Sequence, residues 1–108
     1  MFARFTIVQM KEDKMDEAIK LYEDSVVPGA KSQKGFCGIY LFTDRKTGKG
    51  YSISLWDSEE DAVANEQSGY YKEQVGKFAE HFSAPPVQEG YEVPVAALLK
   101  DIFRIQLA

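Results

Sequence analysis

The chain contains very little cysteine or histidine. Cys37 is the only cysteine and His81 the only histidine among 108 residues. One cysteine excludes a disulfide and a cysteine-based zinc site within a single chain, and it fits either a reducing compartment or indifference to redox conditions. His81 has no second ligand at a metal-binding spacing, so the sequence predicts no metal.

The chain also lacks a long apolar run and an excess of basic residues. Its longest apolar run, residues 93–99, is far shorter than the ~20 residues that cross a bilayer. The N-terminal residues enter a strand pattern at once and show no secretion signal. The net charge of −4 disfavours a nucleic-acid partner. We therefore expect a cytoplasmic protein with neither a membrane nor a nucleic acid as its partner.

Composition and length predict one globular domain. The apolar fraction is 44% and the charged fraction 28%, which are ordinary values for such a domain. We expect residues 1–97 to form the domain and residues 98–108 to be a C-terminal extension. Alternating apolar residues in the extension fit a strand, but a helical stripe fits as well. We favour an extended arm.

Hydrophobic periodicity predicts the order β-α-β-β-α-β. The predicted strands span residues 2–10, 36–43, 51–56 and 89–97, and the predicted helices span 14–27, 58–66 and 70–82. Pro28-Gly29 is expected to end the first helix. This order predicts a ferredoxin-like α+β fold, with a four-stranded antiparallel sheet covered by helices on one face. The first and third strands should be central, and Pro94 should place the last strand at an edge.

Both faces of the predicted strands are largely apolar, although the helices can cover only one. We expect the uncovered face to carry Phe36, Tyr40, Phe42, Trp56, Val8 and Met10. A four-stranded face measures about 20 by 20 Å, or roughly 400 Å², which is near the largest apolar patch of a typical monomer. This predicts a homodimer with its sheets packed face to face. The alternative is a solvated face with Ser52 and Ser54 as its polar rows.

Two short motifs carry a resemblance to a known family. They are Asp44–Lys49 (DRKTGK) and Leu55–Glu60 (LWDSEE), within a run from Gly35 to Ala64. This run resembles the antibiotic biosynthesis monooxygenase-like domain family. The resemblance implies a dimeric α/β barrel with a pocket between sheet and helices. Some relatives oxidise aromatic polyketides or quinols with molecular oxygen and no cofactor, others degrade haem, and many have no assigned reaction.

The haem-degrading branch is not expected here. Those relatives resemble one another in an asparagine on the first strand and in a tryptophan and a histidine on later helices. The only asparagine of this chain, Asn65, is not on the first strand. Ungapped counting from Trp56 puts Asn65 and Val75 where the tryptophan and the histidine would be.

Several side chains are candidates for the pocket. As the catalytic candidate, His81 could carry a proton near neutral pH, but it could equally be a helix-terminal histidine without a catalytic role. Arg4 is an isolated charge on an apolar strand, so it could pair with an acidic residue across the dimer or hold an anionic substrate group. The ligand-pocket candidates are aromatic, and each could instead serve packing: Tyr22, Trp56, Tyr70, Tyr71 and Phe78.

Three functions remain open from the sequence. The first is a cofactor-independent monooxygenase that acts on a small aromatic or quinol-type substrate, which itself supplies the electrons to oxygen. The second is a non-catalytic dimeric domain that binds a small apolar ligand. The third is a structural dimer with a filled core. A pocket between helices and sheet would favour the first two over the third.

Overall fold

The computed structural model describes residues 1–97. Four strands form one antiparallel sheet in the order β2-β3-β1-β4. The strands are β1 (Phe2–Gln9), β2 (Phe36–Thr43), β3 (Lys49–Trp56) and β4 (Val87–Glu92). The ferredoxin-like prediction is confirmed, with β1 and β3 in the centre. The predicted extension, residues 98–108, lies outside the described residues.

The helices cover one face of the sheet. They are α1 (Met15–Leu21), a π-helical segment (Tyr22–Val26), α2 (Val27–Ala30), α3 (Glu59–Gln67) and α4 (Tyr70–Gly76), with short 3₁₀ turns at Glu12–Lys14 and Ala79–His81. Ser58 caps α3, because its side chain accepts a hydrogen bond from the Asp61 amide at 3.1 Å. No helix within residues 1–97 is both long and apolar enough to cross a membrane.

The first helical stretch passes through Pro28-Gly29, so the predicted end at this pair is wrong. The Val27 amide donates to the Tyr22 carbonyl, five residues earlier, and this bond belongs to a π turn. Pro28 then falls in the first positions of α2, where its missing N–H is tolerated. The change of register thus carries the helix on to Ala30.

The helix predicted over residues 70–82 and the last strand are both shorter than expected. The stretch 70–82 is helical only to Gly76 before the 3₁₀ turn, because a glycine weakens a helix interior. β4 begins at Val87 and ends at Glu92, ahead of Pro94, which has no N–H to continue the pairing. It is an edge strand, as predicted, although its predicted range of 89–97 is wrong.

The two faces of the sheet are assigned differently from the prediction. Trp56, Val8 and Met10 lie on the helix-covered face and are buried there. The strand register leaves the opposite face to the alternating residues, among them Phe5 and Ile53. A β-bulge between Phe36 and Gly38 separates Phe36, which lies on the covered face, from Tyr40 and Phe42 on the open face.

Candidate functional site

A cavity lies between the helix-covered face of the sheet and the helices. The space that water centres can occupy in it measures about 90 Å³, several times what one water needs. Apolar side chains form most of its wall, and they come from the three strands β1, β2 and β3 as well as from α1, the π-helical segment, α2 and α4. The space between the helices and the sheet is therefore not a filled core.

All five predicted aromatic side chains line this one cavity. The wall includes Tyr22 of the π-helical segment, Trp56 at the end of β3, Tyr70 and Tyr71 at the start of α4, and Phe78 just beyond it. Trp56 is 2% exposed, so it packs inside the subunit and not at the open sheet face. Walls of this kind suit a flat aromatic ligand, since aromatic rings pack well by stacking and edge contacts.

The cavity contains one buried cation, the guanidinium of Arg4. Arg4 lies on β1 and is 6% exposed. Its Cζ is 4.1 Å from the centre of the Tyr71 ring and 5.1 Å from that of the Trp56 ring, so it gains cation–π attraction from both. Burial lowers the pKa of Arg4 from its usual value, against the opposing effects of Tyr71, Glu66 and Tyr70.

The charge of Arg4 is only loosely compensated by protein groups. Nη1 lies 3.4 Å from Oε2 of Glu66 on α3 and 3.4 Å from the carbonyl oxygen of Ala62. Charge-assisted bonds are usually about 2.7–2.9 Å long. Nε of Arg4 is buried and has no hydrogen-bond partner within the described residues. A buried donor without a partner is unfavourable, and an acceptor on a ligand would satisfy it.

Most other polar groups of the cavity are paired with each other. Thr6 Oγ1 and Tyr71 Oη share a hydrogen bond of 2.6 Å, and Tyr22 Oη and Ser52 Oγ share one of 2.8 Å. Trp56 Nε1 donates to Ser54 Oγ at 2.9 Å. These pairs fix the rings and leave the cavity wall largely apolar.

The exception is Tyr70, whose hydroxyl is buried without a hydrogen-bond partner among the described residues. It lies against Gly29, where a side-chain carbon would overlap Tyr70 Oη. Gly29 thus admits the tip of Tyr70 to the cavity wall. Among the described residues, Arg4 Nε and Tyr70 Oη are the two buried side-chain polar atoms of this largely apolar wall that have no hydrogen-bond partner.

The tyrosines of the cavity are neutral hydrogen-bonding groups at neutral pH. Burial raises the pKa of Tyr22 to about 12, although its hydrogen bond with Ser52 acts in the opposite direction. Burial also raises the pKa of Tyr71 and of Tyr70. None of these phenols therefore supplies a negative charge to Arg4 or serves as a base near pH 7.

His81 does not line the cavity. It lies in the 3₁₀ turn after α4, with Nε2 at 3.7 Å from Oε2 of Glu17 and with Nδ1 buried and unpartnered. Its ring centre lies 5.8 Å from that of Phe78, which does line the cavity. Within residues 1–97, no group of three histidine, cysteine or carboxylate side chains is placed to hold a metal ion.

The cavity wall also includes four polar residues that the sequence did not predict for it: Thr6, Ser52, Ser54 and Gln74. Arg4, Thr6, Ser52 and Ser54 occupy adjacent positions of β1 and β3, with Arg4 opposite Ser54 and Thr6 opposite Ser52. Their alternation with apolar neighbours was the available signal. It indicated a polar row on one face, and the prediction placed that row on the uncovered face.

Comparison with known proteins places this geometry in a family. A relative from Mycobacterium tuberculosis, an uncharacterized protein, is 30% identical over 104 residues, which are 93% of this chain and 43% of the relative. The chain thus spans less than half of the curated relatives it matches. Among solved structures, a protein of unknown function from Nitrosomonas europaea has a TM-score of 0.73 at 18% identity, covering 90% of this chain and 92% of that one.

A second solved structure has a named activity. A monooxygenase from Streptomyces coelicolor, in complex with the ligand Nanaomycin D, has a TM-score of 0.68 at 15% identity over 90% of each chain. At such identities the two structures show a shared fold alone. The family model of antibiotic biosynthesis monooxygenase matches residues 1–77. The chain therefore belongs to the antibiotic biosynthesis monooxygenase family.

Proposed function

We propose that this protein is a cofactor-independent monooxygenase that oxidises a small reduced aromatic, of quinol or anthrone type, in the cavity. One observation carries the proposal: a largely apolar, aromatic-walled cavity contains a single buried cation, Arg4, which has an unpaired donor. Apolar pockets with a few polar groups are the usual sites for small aromatic ligands. The family match supports the reaction type.

The substrate itself can supply every electron of such a reaction. Oxidation of a ring CH₂ to a ketone releases four electrons, and reduction of O₂ consumes four. One oxygen atom enters the new C=O group, and the other leaves as water together with the two hydrogens of the CH₂. The protein's contribution is to hold the ring, to exclude bulk water and to stabilise negative charge on the ring oxygen.

The residues of the cavity divide between these tasks. Trp56 and Tyr71 flank Arg4 and form an aromatic wall for the ring. Tyr70 offers an unpaired hydroxyl, which the raised pKa keeps protonated, as a donor to a ring oxygen. Ile39, which faces the cavity from β2, closes the apolar side.

Oxygen consumption with a panel of quinols and anthrones tests this proposal. The wild type should consume O₂ with at least one of them and release water with the matching ketone from an anthrone or the matching hydroxyquinone from a quinol. Ile39→Trp should abolish binding and uptake, because the indole fills the cavity. Val63→Trp adds the same ring to the exposed side of α3 and should leave uptake unchanged. Ligand binding without oxygen uptake would support the non-catalytic alternative instead.

We also propose that the open face of the sheet pairs with its counterpart in a homodimer. Phe42 and Val87 are each 53% exposed on this face, and Tyr91 is 50% exposed. Three cross-strand rows cover the face: Gly38, Leu55, Ala3 and Tyr91; Tyr40, Ile53, Phe5 and Glu89; and Phe42, Tyr51, Ile7 and Val87. Exposed apolar surface of this extent is typical of an interaction site.

A further inference from the structure

We infer that Arg4 binds the ionised oxygen of the aromatic ligand, so that the cavity selects phenolates and enolates over the neutral hydroxyl forms. This deepens the proposed function and rests on it, because the same cavity holds the ligand. The step itself is the loss of one proton from the ligand hydroxyl to solvent. It yields an anion that stays beside the guanidinium.

The first argument is that no group around Arg4 fully neutralises it. Glu66 is the one carboxylate within ion-pair distance among the described residues, and its 3.4 Å contact is long. Glu66 also accepts a hydrogen bond of 2.7 Å from Gln88 Nε2 through its other oxygen. That bond holds its carboxylate towards β4. A buried cation with one weak partner attracts a further anion.

The second argument concerns the other groups that face Arg4. On α4, Tyr71 presents its ring face to Arg4 and Tyr70 presents a neutral phenol. On β3, Trp56 presents its indole face, and Ser54 lies opposite Arg4 in the strand register. From β4, Gly90 is the register partner and has no side chain. None of these groups carries a negative charge at neutral pH, so Glu66 is the one anion that faces Arg4 among the described residues.

The third argument is the number of free donors. Nη1 is already directed to Glu66 and the Ala62 carbonyl, whereas Nε has no partner among the described residues. A ring oxygen that accepts a hydrogen bond from Nε would satisfy this buried donor, and the aromatic wall suits the ring that carries the oxygen. The site therefore fits an ionised phenol or enol. This matches the chemistry, because a ring anion gives electrons to O₂ more readily than the neutral phenol does.

The experiment measures the pKa of a bound phenol. A nitrophenol, whose neutral and ionised forms differ in colour, is titrated with the protein at a series of pH values. An opposite charge at ~4–6 Å lowers an acid's pKa by about 1–3 units, so the phenolate should bind about 10- to 1,000-fold more tightly than the phenol. Arg4→Met should remove this shift, and Arg4→Lys should retain part of it.

Two further variants separate this role from a purely structural one. Glu66→Gln keeps the shape of the side chain but removes its charge. The pKa of the bound phenol should therefore fall further, and the affinity for the anion should rise several-fold. Damage to the fold would not produce a gain of this sign. Lys20→Met, at an exposed cation of α1 that pairs with Asp24, removes the same charge elsewhere and should leave the bound pKa unchanged.

The outcomes distinguish this inference from the proposed function. Oxygen uptake with an unshifted phenol pKa, or an unchanged or higher bound pKa in Glu66→Gln, would overturn the inference alone. Tighter binding of benzoate than of nitrophenolate would overturn the choice of ring oxygen. A shifted pKa without oxygen uptake would uphold the inference and overturn the monooxygenase reaction. Failure to bind both nitrophenol and its methyl ether would overturn both.

Discussion

Substitution of Ile53 by lysine should abolish the proposed dimer. Ile53 lies on the central strand β3, directly opposite Phe5 on β1 and Tyr40 on β2, in the middle row of the open face. A charge at this position stays hydrated in a monomer, because the face is open to solvent there. In a face-to-face dimer the same charge would be buried together with its symmetry mate. The substitution therefore separates the two states.

The expected magnitude follows from the size of the face. Four strands and three rows give a projected area of roughly 400 Å² per subunit. Pairing two such faces removes about 800 Å² and contributes at most ~20 kcal/mol, against an association penalty of ~4–15 kcal/mol. Burial of one isoleucine side chain contributes about 1.5–3 kcal/mol. Two-fold symmetry doubles this to about 3–6 kcal/mol, so the dimer Kd should rise roughly 10²- to 10⁴-fold.

Sedimentation or light scattering at micromolar concentration provides the assay. The wild type should be a dimer and Ile53→Lys a monomer. Loss of cross-strand contacts should cost the monomer no more than ~1 kcal/mol, so circular dichroism should show an intact fold. Val63→Lys, on the exposed side of α3, is the matched control and should remain dimeric. A monomeric wild type would refute the reasoning, as would a variant that dimerises as tightly as the wild type.

Three other predictions concern the cavity. Tyr71→Phe should lower the free energy of unfolding in urea by about 1–3 kcal/mol, because it leaves Thr6 Oγ1 unpaired. The double variant Thr6→Val/Tyr71→Phe should recover part of this stability. A double variant whose loss equals the sum of the two single losses would contradict the pairing. Gly29→Ala should displace the Tyr70 hydroxyl. It should weaken ligand binding by roughly 2- to 10-fold, about as much as Tyr70→Phe does. Calorimetry would measure the loss of affinity, and an unchanged affinity would argue against a role for this hydroxyl. Tyr22 has a folded-state pKa of about 12, above its usual 10. Its neutral phenol therefore contributes fully to the free energy of unfolding below pH ~10, and this contribution, roughly 2–3 kcal/mol, is lost as the pH rises towards 12. The free energy of unfolding should fall over this alkaline range in the wild type and fall less steeply in Tyr22→Phe.

The order of elements could be predicted from local sequence signals, whereas several element ends could not. The hairpin follows from two alternating runs and a turn with Gly48, whose φ of 78° suits glycine. Pro28 was interpreted as a helix end by a rule that holds for a regular α-helix. A π turn moves the hydrogen-bond register just before it, and this register change has no simple sequence signature.

The orientation of the sheet could not be predicted from alternation. Alternation divides β1 and β3 correctly into two sets, but it does not say which set faces the helices. The prediction put Val8, Met10 and Trp56 on the uncovered face, which left the set with Phe5 and Ile53 to the helices. On β2 the bulge near Cys37 adds one residue, so Phe36 and Tyr40 point to opposite sides although their spacing is even.

The inverted polarity of the sheet is itself the functional signal. In a sheet built only for stability, the face under the helices would be wholly apolar and the open face polar. Here the covered face holds Arg4, Thr6 and Ser54, all buried, and the open face holds Phe42 and Val87, both exposed. Burial of a polar group is unfavourable unless it is hydrogen-bonded. The hydroxyls of Thr6 and Ser54 are bonded, whereas Nε of Arg4 has no partner among the described residues. An exposed apolar face is equally unfavourable unless it is covered. The proposed aromatic ligand would relieve the first departure and the proposed second subunit would relieve the other, and both would contact β1 and β3.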